Sequence, residues 1–323
     1  MQQRTPFQQF VLFLKGMAMG AADVVPGVSG GTIAFISGIY EELITTIHNL
    51  DLSVFKTWKK EGFGTMWRQY NLRFLVTLFA GVLLSLLLLA KVIGWLLIHE
   101  PIAMWSFFFG LIVASVVYIG RMIQPWSISV VIAVLVAGAI SYYITLAEPV
   151  TSPDSGWFML FAGFIAIIAM ILPGISGSFI LLLIGAYQTF IGAINQLRLG
   201  LTTADWSLLS EAILRLFSFG IGAILGLKVF SGVLTWLFKN YKNITFAILT
   251  GFMIGALNKI WPWKQVLSWR TNSGGERVPF LEKSISPFAF DGDAQLAIAV
   301  VFAIIGFLII FILEAIAAKI KKE

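Results

Sequence analysis

Long apolar runs separated by short polar stretches set the pattern of this chain. A helix needs about 20 apolar residues to cross the hydrocarbon core of a bilayer. Runs near that length lie at Phe74–Leu97, Ile102–Tyr118, Ile128–Leu146, Ile213–Phe238, Ile244–Trp261 and Leu296–Ala315, and each predicts a transmembrane helix. Two further apolar stretches, 7–48 and 158–196, are interrupted. In the first, Phe7–Val25 meets Pro26-Gly27-Val28-Ser29-Gly30-Gly31 before apolar sequence resumes from Thr32 to Ile47. In the second, Phe158–Leu172 meets Pro173-Gly174-Ile175-Ser176-Gly177-Ser178 and resumes to Ile194. Proline removes a backbone donor and glycine releases φ, so each helix is expected to break there. Each arm is about 15–20 residues, roughly 25 Å as helix. That length suits a hairpin that enters from one face and turns back inside the protein, whether re-entrant or fully spanning.

The two interrupted stretches are copies. Val24–Ile44 aligns with Ile171–Ile191 at a constant offset of 147, with eight of 21 positions identical, among them Gly38/Gly185 and Tyr40/Tyr187. The repeat continues with Gly81, Trp95 and Gly110 against Gly222, Trp236 and Gly251 at an offset of 141. Each half, 1–150 and 151–323, is then one broken hairpin plus three spanning helices. A hairpin contributes an even number of crossings and three helices an odd number, so the second copy is expected to sit inverted relative to the first. The predicted fold is an all-α integral membrane protein of two inverted-topology repeats.

Composition agrees with a lipid-embedded chain. Of 323 residues, 59% are hydrophobic and 12% charged, where a soluble domain carries about a quarter charged residues. Phe7 to Ala22 runs into more apolar sequence rather than a small-residue cleavage site, so no cleavable leader is expected. The absence of cysteine excludes disulfides and thiolate metal sites, and two histidines, His48 and His99, are too few for a histidine-based one. No metal or cofactor is expected. The net charge of +6 is read as positive cytoplasmic loops rather than nucleic-acid binding. With the N-terminus placed in the cytoplasm, 13 of the 22 basic residues fall in the cytoplasmic segments Met1–Lys15, Asp51–Arg73, the Arg121 loop, Lys239–Lys242 and Lys319–Glu323. Five fall outside: Arg198, Lys264, Arg270, Arg277 and Lys283. Both termini are therefore expected in the cytoplasm. The polar segment Trp263–Asp293 is expected as a partly ordered external loop.

In an inverted arrangement the two Pro-Gly-x-Ser-Gly turns enter from opposite faces and can meet near the midplane. The helices starting at Thr32 and Ser178 would point their N-termini inward. A helix N-terminus carries roughly +0.5 charge and unpaired N–H groups, which suit phosphate or carboxylate. The candidate anion-binding residues are Pro26, Gly27, Ser29, Gly30, Gly31, Thr32, Pro173, Gly174, Ser176, Gly177 and Ser178, the glycines giving backbone access and the hydroxyls adding donors. The plain alternative is a pair of Pro/Gly kinks used for packing.

Charged residues within the apolar regions add candidates. Asp23 lies three residues before Pro26 and its counterpart is Met170, so this charge is asymmetric. It is a candidate for proton coupling or a backbone cap. Glu41, beside Glu42 after the return arm, is a second proton-coupling candidate. Arg215, at the outer end of its helix, and Arg73, near the equivalent cytoplasmic position, are candidates to recruit an anion through the guanidinium fork; an interfacial anchor is the alternative for both. Lys91 and Lys228 are read as snorkelling, and Lys259 and Glu314 as interfacial. The patterns Gly16-x3-Gly20, Gly222-x3-Gly226 and Gly251-x3-Gly255 suggest close helix packing and leave a homo-oligomer open.

The segment from Lys15 through Met17, Gly20, Asp23, Pro26, Gly27, Ser29, Gly30 and Gly31 to Thr32, with the second Pro173-Gly174-Ile175-Ser176-Gly177-Ser178, resembles the signature of the polyprenyl-phosphate transporter family, PopT. The resemblance covers nearly the whole chain. It implies a translocase for undecaprenyl phosphate, the lipid carrier of cell-wall and envelope sugars, returned from the outer to the inner leaflet of the bacterial cytoplasmic membrane. The residues alone imply an inverted-repeat transporter with an anion site; the lipid comes from the resemblance. The prenyl tail can stay in lipid while the phosphate uses a polar path.

Three rivals are weighed against this reading. Integral-membrane polyprenyl pyrophosphate phosphatases of the bacitracin-resistance type also have inverted repeats and a Pro-Gly-x-Ser signature, but there the serine is followed by arginine. Here Gly30 and Gly177 follow Ser29 and Ser176, which argues for holding phosphate rather than cleaving it, so no enzyme is expected. Gly27-Val28-Ser29-Gly30-Gly31 formally matches the serine-hydrolase elbow, yet that motif needs a strand–turn–helix and a histidine base. A channel or transporter for a small anion would use the same helix ends and stays open.

Overall fold

A computed structural model describes residues 4–25, 28–150, 156–271 and 277–320. The described residues are mostly helical. The first hairpin is α1 (Pro6–Asp23), α2 (Gly30–Ile36) and α3 (Tyr40–Asn49). After it come α4 (Ser53–Glu61) and α5 (Phe63–Gln69), then α6 (Leu72–His99), α7 (Pro101–Met122) and α8 (Ile128–Leu146). The second hairpin is α9 (Gly156–Ile171), α10 (Gly177–Leu183) and α11 (Ala186–Thr203), followed by α12 (Trp206–Asn240) and α13 (Lys242–Ala256). The antiparallel strands β1 (Lys264–Thr271) and β2 (Arg277–Ser284) precede α14 (Leu296–Ile320).

Four of the described helices, α6, α7, α8 and α12, are long and apolar enough to cross a membrane, and the bent pair α10–α11 passes the same test taken together. Their outward faces carry exposed Leu83, Leu87, Leu135, Ile224 and Val229. Water-facing surfaces rarely hold such continuous apolar patches, so these faces are built for lipid.

The local chemistry explains where helices begin and end. Thr5 opens α1 with a capping box, its hydroxyl accepting from the Gln8 N–H while the Gln8 side chain accepts from the Thr5 N–H. The predicted return arms do not run as single helices. Gly38 (φ +72°) separates α2 from α3, and Gly185 (φ +76°) separates α10 from α11, bending that pair by 109°. Left-handed backbone strongly favours glycine, so the repeated Gly38/Gly185 identity marks a second break in each hairpin. Two expected loops are also ordered. The Asp51–Arg73 segment forms α4 and α5, divided at Gly62 (φ +85°). The Trp263–Asp293 segment, expected as a partly ordered external loop, holds the β-hairpin, one small sheet in a mostly helical chain. The helix expected to reach Trp261 ends at Ala256.

Glycines set the helix pairs. A Cβ at Gly16 would lie 2.1 Å from the Leu78 carbonyl oxygen, and one at Gly20 would lie 2.5 Å from that of Val82. The four-residue step on both sides means α1 and α6 run parallel in close backbone contact. The second half repeats this: a Cβ added at Gly222 would lie 1.9 Å from the Leu160 carbonyl oxygen and one at Gly226 2.5 Å from that of Phe164, so α9 and α12 are also parallel. Across the halves, a Cβ added at Gly251 would lie 2.5 Å from the Val134 carbonyl oxygen and one at Gly255 2.3 Å from that of Gly138, so α8 and α13 run parallel. All three small-residue patterns are thus spent on packing within the chain, where backbones approach without a side chain between them.

Candidate functional site

The two hairpin turns meet inside the protein. The carbonyls of Met170 and Ile171, at the C-terminus of α9, lack helical partners as the last carbonyls of any helix do. The first hairpin supplies them. Ser29 Oγ donates to the Met170 oxygen at 2.8 Å, and Tyr40 Oη donates to the Ile171 oxygen at 3.1 Å. In return the Gly174 N–H donates to Thr32 Oγ1 at 2.9 Å. Gly31 lies so close that an added Cβ would sit 2.5 Å from the Ile171 oxygen. Ser29 and Thr32 are almost wholly buried, at 1% and 0% exposure.

The turns are not equivalent. At the first, the N-terminal donors of α2 are occupied: the Gly30 N–H donates to Asp23 Oδ1 at 2.6 Å and the Gly31 N–H to Ser29 Oγ at 3.0 Å. Asp23 thus lays a carboxylate where an anion would approach α2. At the second turn Ser176 makes no cap bond to α10 and instead shares a 2.9 Å hydrogen bond with Ser178, whose side chain is exposed. The second turn is therefore the more open of the two. Gly174 adopts φ +88° against the α13 backbone, its position for a Cβ lying 2.9 Å from the Phe252 oxygen. Pro173 is buried in the same turn. Pro26 and Gly27 lie outside the described residues.

Other sequence candidates lie apart from the turns. Arg215 pairs with Glu211 at 2.8 Å. It sits two turns before Gly222, level with the start of α9, so the length of α9, roughly 24 Å at 1.5 Å per residue, separates it from the second turn. Glu41 pairs with Lys242 at 2.8 Å on an exposed edge, and both side chains are about half exposed at 50% and 54%. Glu42 receives a two-pronged contact from Arg4 and a hydrogen bond from Asn71. Lys228, read as snorkelling, points inward to the carbonyls of His48 and Leu50 at the end of α3. Lys15, counted with the cytoplasmic loop, stands in α1 and donates to the Ser37 oxygen at 2.6 Å, just after α2. Both lysines act on helix C-termini, where carbonyls gather partial negative charge. Tyr40 was legible only as a repeated identity with Tyr187; its contact with the other hairpin required the fold.

A family model described as undecaprenyl phosphate translocase-like matches residues 19–278. A polyprenyl-phosphate transporter of Vibrio cholerae is 49% identical over 280 residues, 86% of this chain and 86% of the relative. A polyprenyl-phosphate transporter of Staphylococcus aureus is 33% identical over 269 residues, 79% of this chain and 88% of the relative. No solved structure gives a significant match.

Proposed function

The chain belongs to the undecaprenyl phosphate translocase-like family, and from that premise we propose that it carries a polyprenyl phosphate, undecaprenyl phosphate in particular, from the outer to the inner leaflet of a bacterial cytoplasmic membrane. The single observation that carries the mechanism is the contact between two broken-hairpin turns. Irregular backbone at membrane depth is tolerated where it is buried in protein or lines a cavity, and paired discontinuous helices are where transporters bind their substrates.

Opposite orientation of the halves is part of this reading. The parallel pairing of α8 with α13 supports it. Only Glu100 separates α6 from α7, and only Tyr241 separates α12 from α13. If each of these joints reverses the chain, and the α7–α8 joint likewise, then α6 and α12 point in opposite directions although they are the same element of each repeat. Both termini would then lie on the cytoplasmic side, with the β-hairpin outside.

The phosphate would engage first at the second turn, at Ser176, Gly177 and Ser178. Passage to Ser29, Gly30, Gly31 and Thr32 requires the bonds between the turns to part. Protonation of Asp23 would weaken its hold on the Gly30 N–H and free the end of α2, which makes Asp23 the coupling group in this scheme. Glu41, tied to Lys242 on the surface, is the weaker candidate. Arg215 would act as a separate capture point. Neither serine is followed by an arginine, which supports holding the phosphate over cleaving it.

The test is reconstitution of purified protein with undecaprenyl phosphate, following leaflet accessibility of the phosphate. Protein-dependent flipping without released inorganic phosphate is expected, with Ser176→Trp inactive but folded. Phosphate released from the pyrophosphate form without flipping would replace this reading with a phosphatase.

A further inference from the structure

Beneath the β-hairpin, lined by none of the turn residues Ser176, Gly177 and Ser178, lies a cavity of about 310 Å³ between β1, β2, the C-terminal end of α8, α10 and the segment after α13. Three lysines line it: Lys259, Lys264 and Lys283. Lys264 is the unusual one. Its side chain is 7% exposed, and Nζ makes no hydrogen bond among the described residues. It lies 3.3 Å from the centre of the Trp105 ring, with a Glu282 oxygen at 3.7 Å. A buried ammonium has three donors to satisfy, and a ring face and one distant carboxylate leave them unfilled. Lys259 lies over the Phe179 ring at 4.6 Å, in the first turn of α10 beside Ser178.

The neighbouring chemistry narrows the ligand. A second, more apolar cavity of about 560 Å³ shares Asn258 and Ser284 with the first and is walled by Phe109, Leu257, Trp261 and Ile285. Lysines on one side and aromatic and aliphatic surface on the other match an anionic head joined to an apolar chain. We propose that the Lys259–Lys264 cavity is a phosphate site, separate from the hairpin turns, that receives the phosphate monoester head of a prenyl chain lying in the adjoining apolar cavity. This rests on the reading of the chain as a polyprenyl-phosphate carrier.

Burial pushes the Lys264 ammonium down to about 8, with Glu282 opposing the shift. The groups facing it are Glu282 and Lys259, with Lys283 and Glu148 at the cavity's edge. A phosphate monoester becomes a dianion above about pH 6. Binding is therefore strongest between about pH 6 and 8 and falls as Lys264 loses its proton. Lys264→Arg, which stays charged, reduces the alkaline decline; burial also holds Lys259 below the usual lysine range, and its loss of a proton accounts for what remains.

The experiment measures binding of farnesyl phosphate, farnesol and inorganic phosphate to the full chain in detergent, with thermal unfolding as the folding control. Farnesyl phosphate is expected to bind about tenfold or more weakly to Lys259→Gln and to Lys264→Gln, because each loses a charge-assisted hydrogen bond, while Lys56→Gln, exposed on α4, keeps wild-type affinity. Binding of farnesyl phosphate but not inorganic phosphate identifies a lipid head; equal binding of both makes the site one for free phosphate and overturns the lipid assignment. Unchanged affinity in folded Lys259→Gln, or farnesol binding as well as its phosphate, also overturns it. If Lys264→Gln does not fold, Lys259→Gln and the wild-type pH profile decide, and a flat profile between pH 7 and 9 counts against it. Failure of lipid flipping with lysine-dependent binding intact would instead count against the transporter reading and leave the cavity standing.

Discussion

The Asp23 carboxylate holds the Gly30 N–H at 2.6 Å and so fills the end of α2 that a phosphate would approach. Two substitutions separate its roles as cap and as titrating group. Asp23→Asn keeps an acceptor oxygen but cannot ionise; Asp23→Ala loses both. Loss of a cap-type hydrogen bond costs about 0.5–2 kcal/mol. The expected outcome is a near-normal melting temperature for Asp23→Asn with transport that no longer responds to pH, and a lower melting temperature for Asp23→Ala. Transport by Asp23→Asn with the wild-type pH dependence would remove Asp23 from coupling. The asymmetry with Met170 was visible in sequence. The contact with Gly30 was not, because it spans a turn whose geometry only the folded hairpin defines. Tyr40 makes the same point: its hydroxyl reaches the oxygen of Ile171, 131 residues away.

Among elements, the hairpins are held by parallel helix pairs whose closest points are glycines. Gly222 and Gly220 lie on the same helix, α12, but only Gly222 faces α9; a Cβ there would meet the Leu160 oxygen at 1.9 Å, whereas Gly220 has nothing within 4 Å. Gly222→Val is expected to force α9 and α12 apart, at an overpacking cost of at least about 1–3 kcal/mol, and to reduce the yield of folded protein. Gly220→Val should leave thermal stability near wild type. Equal effects would mean that the α9–α12 contact is not as close as described. The small-residue spacing identified these stripes in advance. Which helix each stripe faces is a tertiary fact, since an i, i+4 pattern carries no address.

For the whole molecule, the two faces can be told apart by labelling, and the chain has no cysteine to interfere. Lys56 is exposed on α4 and Gln265 on β1. Lys56→Cys is expected to react with an impermeant thiol reagent only from the cytoplasmic side, and Gln265→Cys only from the outside. Reaction of both from one side would overturn the proposed orientation. The two ends of the molecule also differ in design. Amphipathic α4 and α5 lie beyond the first hairpin, with Lys56, Lys59 and Lys60 exposed, while the β-hairpin covers a lysine-lined cavity at the end of α8 and α13.

By itself the amino-acid sequence determined that the chain lies in a membrane, where its long apolar runs lie and that each hairpin breaks near its Pro-Gly turn, because apolar length and Pro/Gly chemistry are local properties; the second breaks at Gly38 and Gly185 and the helices α4 and α5 came from the structure. The duplicated Pro-Gly-x-Ser-Gly stretch likewise named the candidate site. Only the tertiary structure decided what those groups touch. Ser29 and Thr32, read as phosphate donors, are engaged with the opposite hairpin, and the second turn is the more open. Lys264, one basic residue among four in an expected loop, became a buried ammonium against Trp105. Both outcomes depend on contacts between residues more than 100 positions apart, and burial, unlike hydrophobic periodicity, is set by what the rest of the chain brings alongside.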